Sequence, residues 1–144
     1  MKTIDITPAE WEIMRVLWAN GESRSADLVK IFQKKRNWRP TTTKTLLSRL
    51  VAKYCVETLQ EGNRYRYRPL VTEQEVWNSA THELFHFICD KERGTKIAEL
   101  IESWPLSGED LLKIQQSLAK ATKNSVAEVA CQCFKGQCRC NLQQ

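Results

Sequence analysis

Pro40-Thr41-Thr42-Thr43-Lys44-Thr45-Leu46-Leu47-Ser48-Arg49-Leu50-Val51, then Arg64-Tyr65-Arg66-Tyr67-Arg68 a short way on, is the stretch on which the fold turns. At 3.6 residues per turn, Thr43, Leu46, Leu47, Leu50 and Val51 share one face of a helix. Thr41, Thr42, Lys44, Thr45, Ser48 and Arg49 fall mainly on the other. The second segment alternates with a period of two, so it reads as a strand. Its partner is residues 56–60, turning at Glu61-Gly62-Asn63. The alternation sets Tyr65 and Tyr67 against the helices and Arg64, Arg66 and Arg68 toward solvent.

Working back toward the start, two more helices precede this one. Thr7-Pro8-Ala9-Glu10 combines a cap, a proline suited to the first helical position and a capping-box glutamate. Ile6 is placed to staple onto Trp11. Trp11, Met14, Leu17 and Trp18 follow as an apolar stripe, and Asn20-Gly21 ends the helix. Ser23 or Ser25 opens the second helix, with Leu28, Val29, Ile31 and Phe32 on its buried side. Three helices and then a hairpin is the order of a winged helix-turn-helix, in which the third helix enters the major groove and the hairpin lies along the backbone. Arg and Lys would contact phosphate, and Thr and Ser hydroxyls phosphate or base edges.

Charge agrees with this. Residues 1–70 hold fourteen Lys/Arg against seven Asp/Glu, a net of +7. Residues 71–144 hold eight against ten, a net of −2, within the overall +5. A basic front half calls for a polyanionic partner.

Beyond Pro69, Thr72-Glu73-Gln74-Glu75 is a second capping box. It opens a helix bearing Val76, Trp77, Ala80, Leu84, Phe85, Phe87 and Ile88. Gly94 marks a break, after which Ile97, Leu100 and Ile101 sit on a short helix ending at Trp104-Pro105. Ser107-Gly108-Glu109-Asp110 starts a last helix with Leu111, Leu112, Ile114 and Leu118. So few residues cannot enclose a large core of their own, and the same region of a second chain is the expected partner. The expected fold class is mainly α with a small β-hairpin. Its parts are a winged-helix DNA-binding domain (1–70), a helical dimerisation region (71–128) and a cysteine-rich metal-binding tail (129–144).

That tail reads Cys131-Gln132-Cys133-Phe134-Lys135-Gly136-Gln137-Cys138-Arg139-Cys140. In extended chain, sulfurs at i and i+2 point the same way, and Gly136 lets the two pairs fold together. Cys131, Cys133, Cys138 and Cys140 can then converge on one soft ion, Zn²⁺ in a tetrahedron or Cu⁺ at lower coordination. The alternative is two disulfides or an unliganded tail. The opening residues lack the apolar core of a secretion signal, and no apolar run has the length of a membrane span. A cytoplasmic location without membrane attachment is therefore expected, and a reducing compartment favours metal over disulfides. Cys55 and Cys89 stand apart and read as buried apolar residues.

His82-Glu83-Leu84-Phe85-His86 matches the H-E-x-x-H pattern of zinc proteases, with Glu109 downstream as a conceivable third ligand. The surrounding residues are a core-like apolar run and the chain has little room for a substrate cleft. No catalytic residue is expected.

Trp38-Arg39-Pro40-Thr41-Thr42-Thr43-Lys44-Thr45-Leu46-Leu47-Ser48-Arg49-Leu50 resembles the recognition helix of the BlaI/MecI/CopY repressors, and Arg64 to Leu70 resembles their wing. The doubled C-x-C tail is similar to that of the CopY branch, copper-responsive repressors of copper-homeostasis operons. The resemblance implies a homodimer on palindromic double-stranded operator DNA. It implies repression in the zinc form and release when Cu⁺, delivered by a copper chaperone, displaces zinc from Cys131, Cys133, Cys138 and Cys140. The alternatives for these cysteines are a repressor sensing zinc or cadmium and a cytosolic thiolate metal carrier, and the basic third helix and wing argue against the carrier. Two departures stand out. Tyr54 occupies a place after the recognition helix where this family often has glycine. No Asn-Phe pair is present, although the β-lactam-responsive branch is induced by cleavage at one.

Overall fold

The computed structural model describes residues 3–141. The first two residues of the opening segment and the last three of the 129–144 tail lie outside the described residues. The first helix, α1 (Pro8–Asn20), starts at the expected capping box. The Glu10 amide donates to Thr7 Oγ1 at 3.3 Å and the Thr7 amide to the Glu10 carboxylate at 3.2 Å. Gly21, at φ 80°, ends it. Its buried side is Ile13, Met14, Leu17 and Glu10, whereas Trp11 and Trp18 are half-buried. Trp18 keeps one edge toward the chain's exit, where Nε1 donates to the Val71 carbonyl at 2.9 Å.

Ser23 and Arg24 form a short strand, β1, and not the start of a helix. α2 (Ser25–Arg36) follows directly. Leu28 and Phe32 are buried, but Ile31 is exposed, so the apolar side of α2 is narrower than its composition suggests. Asn37 ends α2 in the left-handed region, and Trp38 stacks on Phe32 with ring centroids 4.7 Å apart.

α3 (Pro40–Ala52) divides as expected: Thr43, Leu46, Leu47 and Leu50 are buried, and Thr41, Thr42, Lys44, Thr45, Ser48 and Arg49 are exposed. β2 (Val56–Glu61) and β3 (Arg64–Pro69) form the hairpin about Gly62 and Asn63. The wing is three-stranded, in the order β1-β3-β2, because Ser23 and Arg24 pair with Tyr67 and Arg66. This added strand corrects two expectations. Arg66 does not stand in solvent: it is half-buried and reaches Glu22 at 2.7 Å and Glu61 at 3.4 Å. Tyr67 packs against the core, but Tyr65, nearer the hairpin tip and beyond the helices' reach, is 44% exposed.

The chain divides into two compact units, with the boundary between His82 and Glu83. α4 (Glu73–His86) opens at the second capping box, where the Glu75 amide meets Thr72 Oγ1 at 3.0 Å. Its first turns belong to the winged-helix unit: Val76 is buried, and Ser79 Oγ accepts from the Ile4 amide at 2.9 Å. α4 stops before Phe87, a 3-10 turn spans Asp90–Glu92, and α5 (Arg93–Ser103) includes Gly94 in its first turn. The break thus falls before Gly94, where Arg93 Nε caps the Phe85 carbonyl at 2.9 Å and satisfies a helix-end acceptor. α6 (Gly108–Thr122) starts at the Ser107–Asp110 capping box. No residue from 80 to 140 is buried. Among the described residues, no helix is long and apolar enough to cross a membrane.

Tyr54 adopts φ 59°, the conformation that favours glycine. The Cys55 amide reaches back to the Leu50 carbonyl at 3.0 Å, closing α3 in a Schellman motif that demands this turn. A Cβ in this region costs about 1 kcal/mol or more. Since Tyr54 is 75% exposed, Tyr54→Gly is expected to raise unfolding stability by about 1 kcal/mol. Urea denaturation showing no gain, or a loss, would exclude strain at this position.

Candidate nucleic-acid interface and metal centre

The candidate DNA-facing surface is the outward side of α3. Its buried leucines fix the helix's rotation, so the polar side has only solvent before it. Lys44 and Arg49 make no ion pair among the described residues. Thr45 and Ser48 donate their hydroxyls to the Thr41 and Lys44 carbonyls at 2.8 and 3.0 Å. Their oxygens keep acceptor capacity, and donating to a phosphate would require a hydroxyl rotation. Beneath the helix, Lys53 Nζ meets the buried Glu10 carboxylate at 2.7 Å, tying the last turn of α3 to the first of α1.

The three wing arginines are not equivalent. Arg64, beside the hairpin turn, is exposed and makes no ion pair among the described residues. Arg68 pairs with Glu57 on the neighbouring strand. Arg66 is held by two carboxylates, and the hydrogen bond to Glu22 raises its pKa further. Of these three, Arg64 alone has no ion pair among the described residues, and the exposed Arg24 of β1 has none there either.

The second site lies after α6, in the unit that begins at Glu83. Gly136, at φ 87°, makes the expected turn between the two C-x-C pairs. The sulfurs of Cys131 and Cys138 lie 3.4 Å apart, and those of Cys138 and Cys140 2.6 Å apart. Cys55 is buried, as expected. Cys89 is not: it is half-buried, with its sulfur 3.6 Å from Cys131 and 3.8 Å from Cys140. The sulfurs of Cys89, Cys131, Cys133 and Cys138 all fall within 4.8 Å of one another. Zn–S bonds of about 2.3 Å place tetrahedral sulfurs roughly 3.8 Å apart. The donor set therefore fits a soft cation in both chemistry and spacing.

Without a cation the thiols cannot all ionise together. A hydrogen bond with Cys140, and then the Cys133 amide, hold Cys131 below the ordinary thiol value. Desolvation and the neighbouring sulfurs push Cys133 up to about 12, and Cys138 and Cys131 push Cys140 upward. A bound cation would supply the positive charge that favours the thiolate forms. His82 and His86 lie exposed on α4. Among the described residues, neither belongs to a group able to hold a metal.

Known proteins resemble this chain over most of its length. A family described as penicillinase repressor matches residues 6–120. An uncharacterized 16.5 kDa protein of the ptsI 3′ region of Latilactobacillus sakei is 39% identical over 142 residues, covering 99% of this chain and 97% of that one. The penicillinase repressor of Bacillus licheniformis is 28% identical over 119 residues, 82% of this chain and 93% of that one. The solution structure of the DNA-binding domain of the repressor BlaI shares 33% identity over 52% of this chain and 93% of that chain, with a TM-score of 0.48. With a match across the winged helix and the helices that follow it, the chain belongs to the penicillinase repressor family, whose members are DNA-binding transcriptional repressors and not enzymes.

Proposed function

We propose that this repressor is a cytoplasmic homodimer that holds palindromic operator DNA while Zn²⁺ occupies its cysteine centre, and that Cu⁺ releases it by displacing the zinc. Cys131, Cys133, Cys138 and Cys140 bind the incoming copper, which a copper chaperone would deliver. Thr41, Thr42, Lys44, Thr45, Ser48 and Arg49 face the groove, and the wing faces the backbone. The carrying observation is that one chain joins an exposed cationic helix face to a cluster of thiols at metal-binding distance. A zinc or cadmium sensor would share the same cysteines, so the metal itself has to be tested. Operator binding by the purified protein is expected to be tight with zinc and at least tenfold weaker with Cu⁺, a coupling of about 1.4 kcal/mol or more. Equal binding in both forms would end the copper reading. Release by added zinc or cadmium would replace it with the other sensor.

Support for the dimer comes from what the second unit leaves uncovered. Ile97, Leu100 and Ile101 on α5, and Leu111, Ile114 and Leu118 on α6, recur at helical spacing, yet neither helix buries a residue. Apolar faces of this extent in water mark an association surface. We assign this role to the region 71–128, leaving 1–70 for DNA and 129–144 for metal. Leu111→Glu with Leu118→Glu is expected to give a monomer in sedimentation and to weaken operator binding about 100-fold, because linked half-site contacts are lost. A double variant that stays dimeric would remove α6 from the interface.

Phosphate contacts make affinity fall linearly with salt on logarithmic axes. Arg64→Ala is expected to reduce that slope by about one unit. Arg66→Ala should leave the slope unchanged and lower the urea midpoint instead, since Arg66 already serves Glu22 and Glu61. The reverse pattern, a shallower slope for Arg66→Ala alone, would place Arg66 on the DNA.

A further inference from the structure

Cys89 lies 42 residues before Cys131 in the sequence, yet their sulfurs are 3.6 Å apart. Packing does not account for this, because no residue from 80 to 140 is buried and Cys89 has no core to enter. What holds it is a corner. α4 ends with the Phe87 and Ile88 amides bonded to the Leu84 and Phe85 carbonyls at 3.1 and 3.2 Å. Cys89 is then extended, at φ −51° and ψ 135°, and its carbonyl accepts the Glu92 amide at 2.8 Å. Arg93 clamps the corner from beyond, bonding the Phe85 carbonyl at 2.9 Å and Asp90 at 3.1 Å. A second link lies alongside, where Lys91 pairs with Glu128 at 2.8 Å, three residues before Cys131.

We propose that Cys89 is a zinc ligand, and that the zinc tetrahedron is Cys89, Cys131, Cys133 and Cys138, with Cys140 the sulfur left outside it. This rests on the reading of the cysteine cluster as a metal centre. These four sulfurs all lie within 4.8 Å of one another. Cys140 lies 3.8 Å from Cys89 but 2.6 Å from Cys138, too close for both Cys138 and Cys140 to be ligands of one tetrahedral zinc, and of the two it is Cys138 that completes the group with Cys133. Three ligands thus come from the tail and one from the corner between α4 and α5. The fifth thiol remains at hand when a cluster of more than one Cu⁺ needs additional or bridging sulfur.

The test uses the full chain loaded with Co²⁺ in place of zinc, whose ligand-field bands distinguish four sulfur ligands from three. Wild type and Cys140→Ser are expected to show the four-sulfur spectrum. Cys89→Ser and Cys131→Ser should show the three-sulfur spectrum and bind zinc roughly tenfold or more weakly, since losing a ligand costs at least what losing an outer partner does. A four-sulfur spectrum for Cys89→Ser, with the loss at Cys140→Ser instead, overturns the assignment while leaving the metal centre standing. Failure of wild type to bind either ion at one equivalent overturns both. Should Cys89→Ser not fold, alkylation of the wild-type chain decides the question: zinc should slow modification of Cys89 as it does that of Cys131. Equal Cys89 rates with and without zinc would exclude it as a ligand.

Discussion

The one-sided burial of α3 is the constraint on which the DNA-binding half depends. Four side chains, Thr43, Leu46, Leu47 and Leu50, enter the core formed with α1 and α2, and this fixes the helix's rotation about its own axis. A rotation of one residue, about 100°, would turn Lys44 or Ser48 inward and expose a leucine at a cost of roughly 2 kcal/mol. The helix ends are held as well. The stacked Trp38 sets the approach to Pro40, and Lys53 on buried Glu10 secures the far end. The exposed face of α3 is held in place because its opposite side is packed, and its own polar residues add little to that.

The wing shows how the same residue type acquires different roles along one strand. Arg64, Arg66 and Arg68 alternate as the sequence indicates, but position in the sheet decides what each arginine meets. Arg66 lies opposite Arg24 of β1, where Glu22 is within reach. Arg64 lies opposite Glu61 at the hairpin end, beyond β1. Period-two reading gives a strand's faces, but it does not say which neighbours the sheet will supply. The missing piece was β1 itself, two residues long, which local reasoning assigns to the start of a helix because two serines there are good caps.

Legibility of the candidate site follows the same division between local and long-range information. The C-x-C pairs, the turn at Gly136, the two capping boxes at Thr7 and Thr72 and the helix start at Ser107 are local patterns, and each is found where the sequence places it. The exposed face of α3 was equally legible, since amphipathic spacing needs no knowledge of the partner helix. Cys89 was not. Its neighbours Phe85, Phe87 and Ile88 suggest a core position, and nothing within ten residues offers a second sulfur. Only the course of the chain through α5 and α6 and back brings Cys131 to it. The faint signal was a cysteine just before Asp90, at a helix end, in a chain that already carries four clustered thiols.

A metal bound only by residues 131–140 would close a small loop within the tail and restrain nothing else. With Cys89 as a ligand, the closure spans 42 residues and includes both α5 and α6. Closing 42 residues in place of the seven between Cys131 and Cys138 costs about 1.6 kcal/mol more in chain entropy. That extra cost vanishes if the two helices are already ordered, and ordering them is what pairing their apolar faces with a second chain would do. Metal binding and dimerisation are then linked: each removes disorder that the other would have to remove, so each strengthens the other by the same factor. The link also has a direction along the chain, because Cys89 follows α4, whose first turns are secured to the winged helix through Val76 and Ser79. With Cys89 as a ligand, a change of ligand geometry would act at the end of a helix whose beginning is part of the DNA-binding unit, and no change in net charge at the centre would be needed to transmit it.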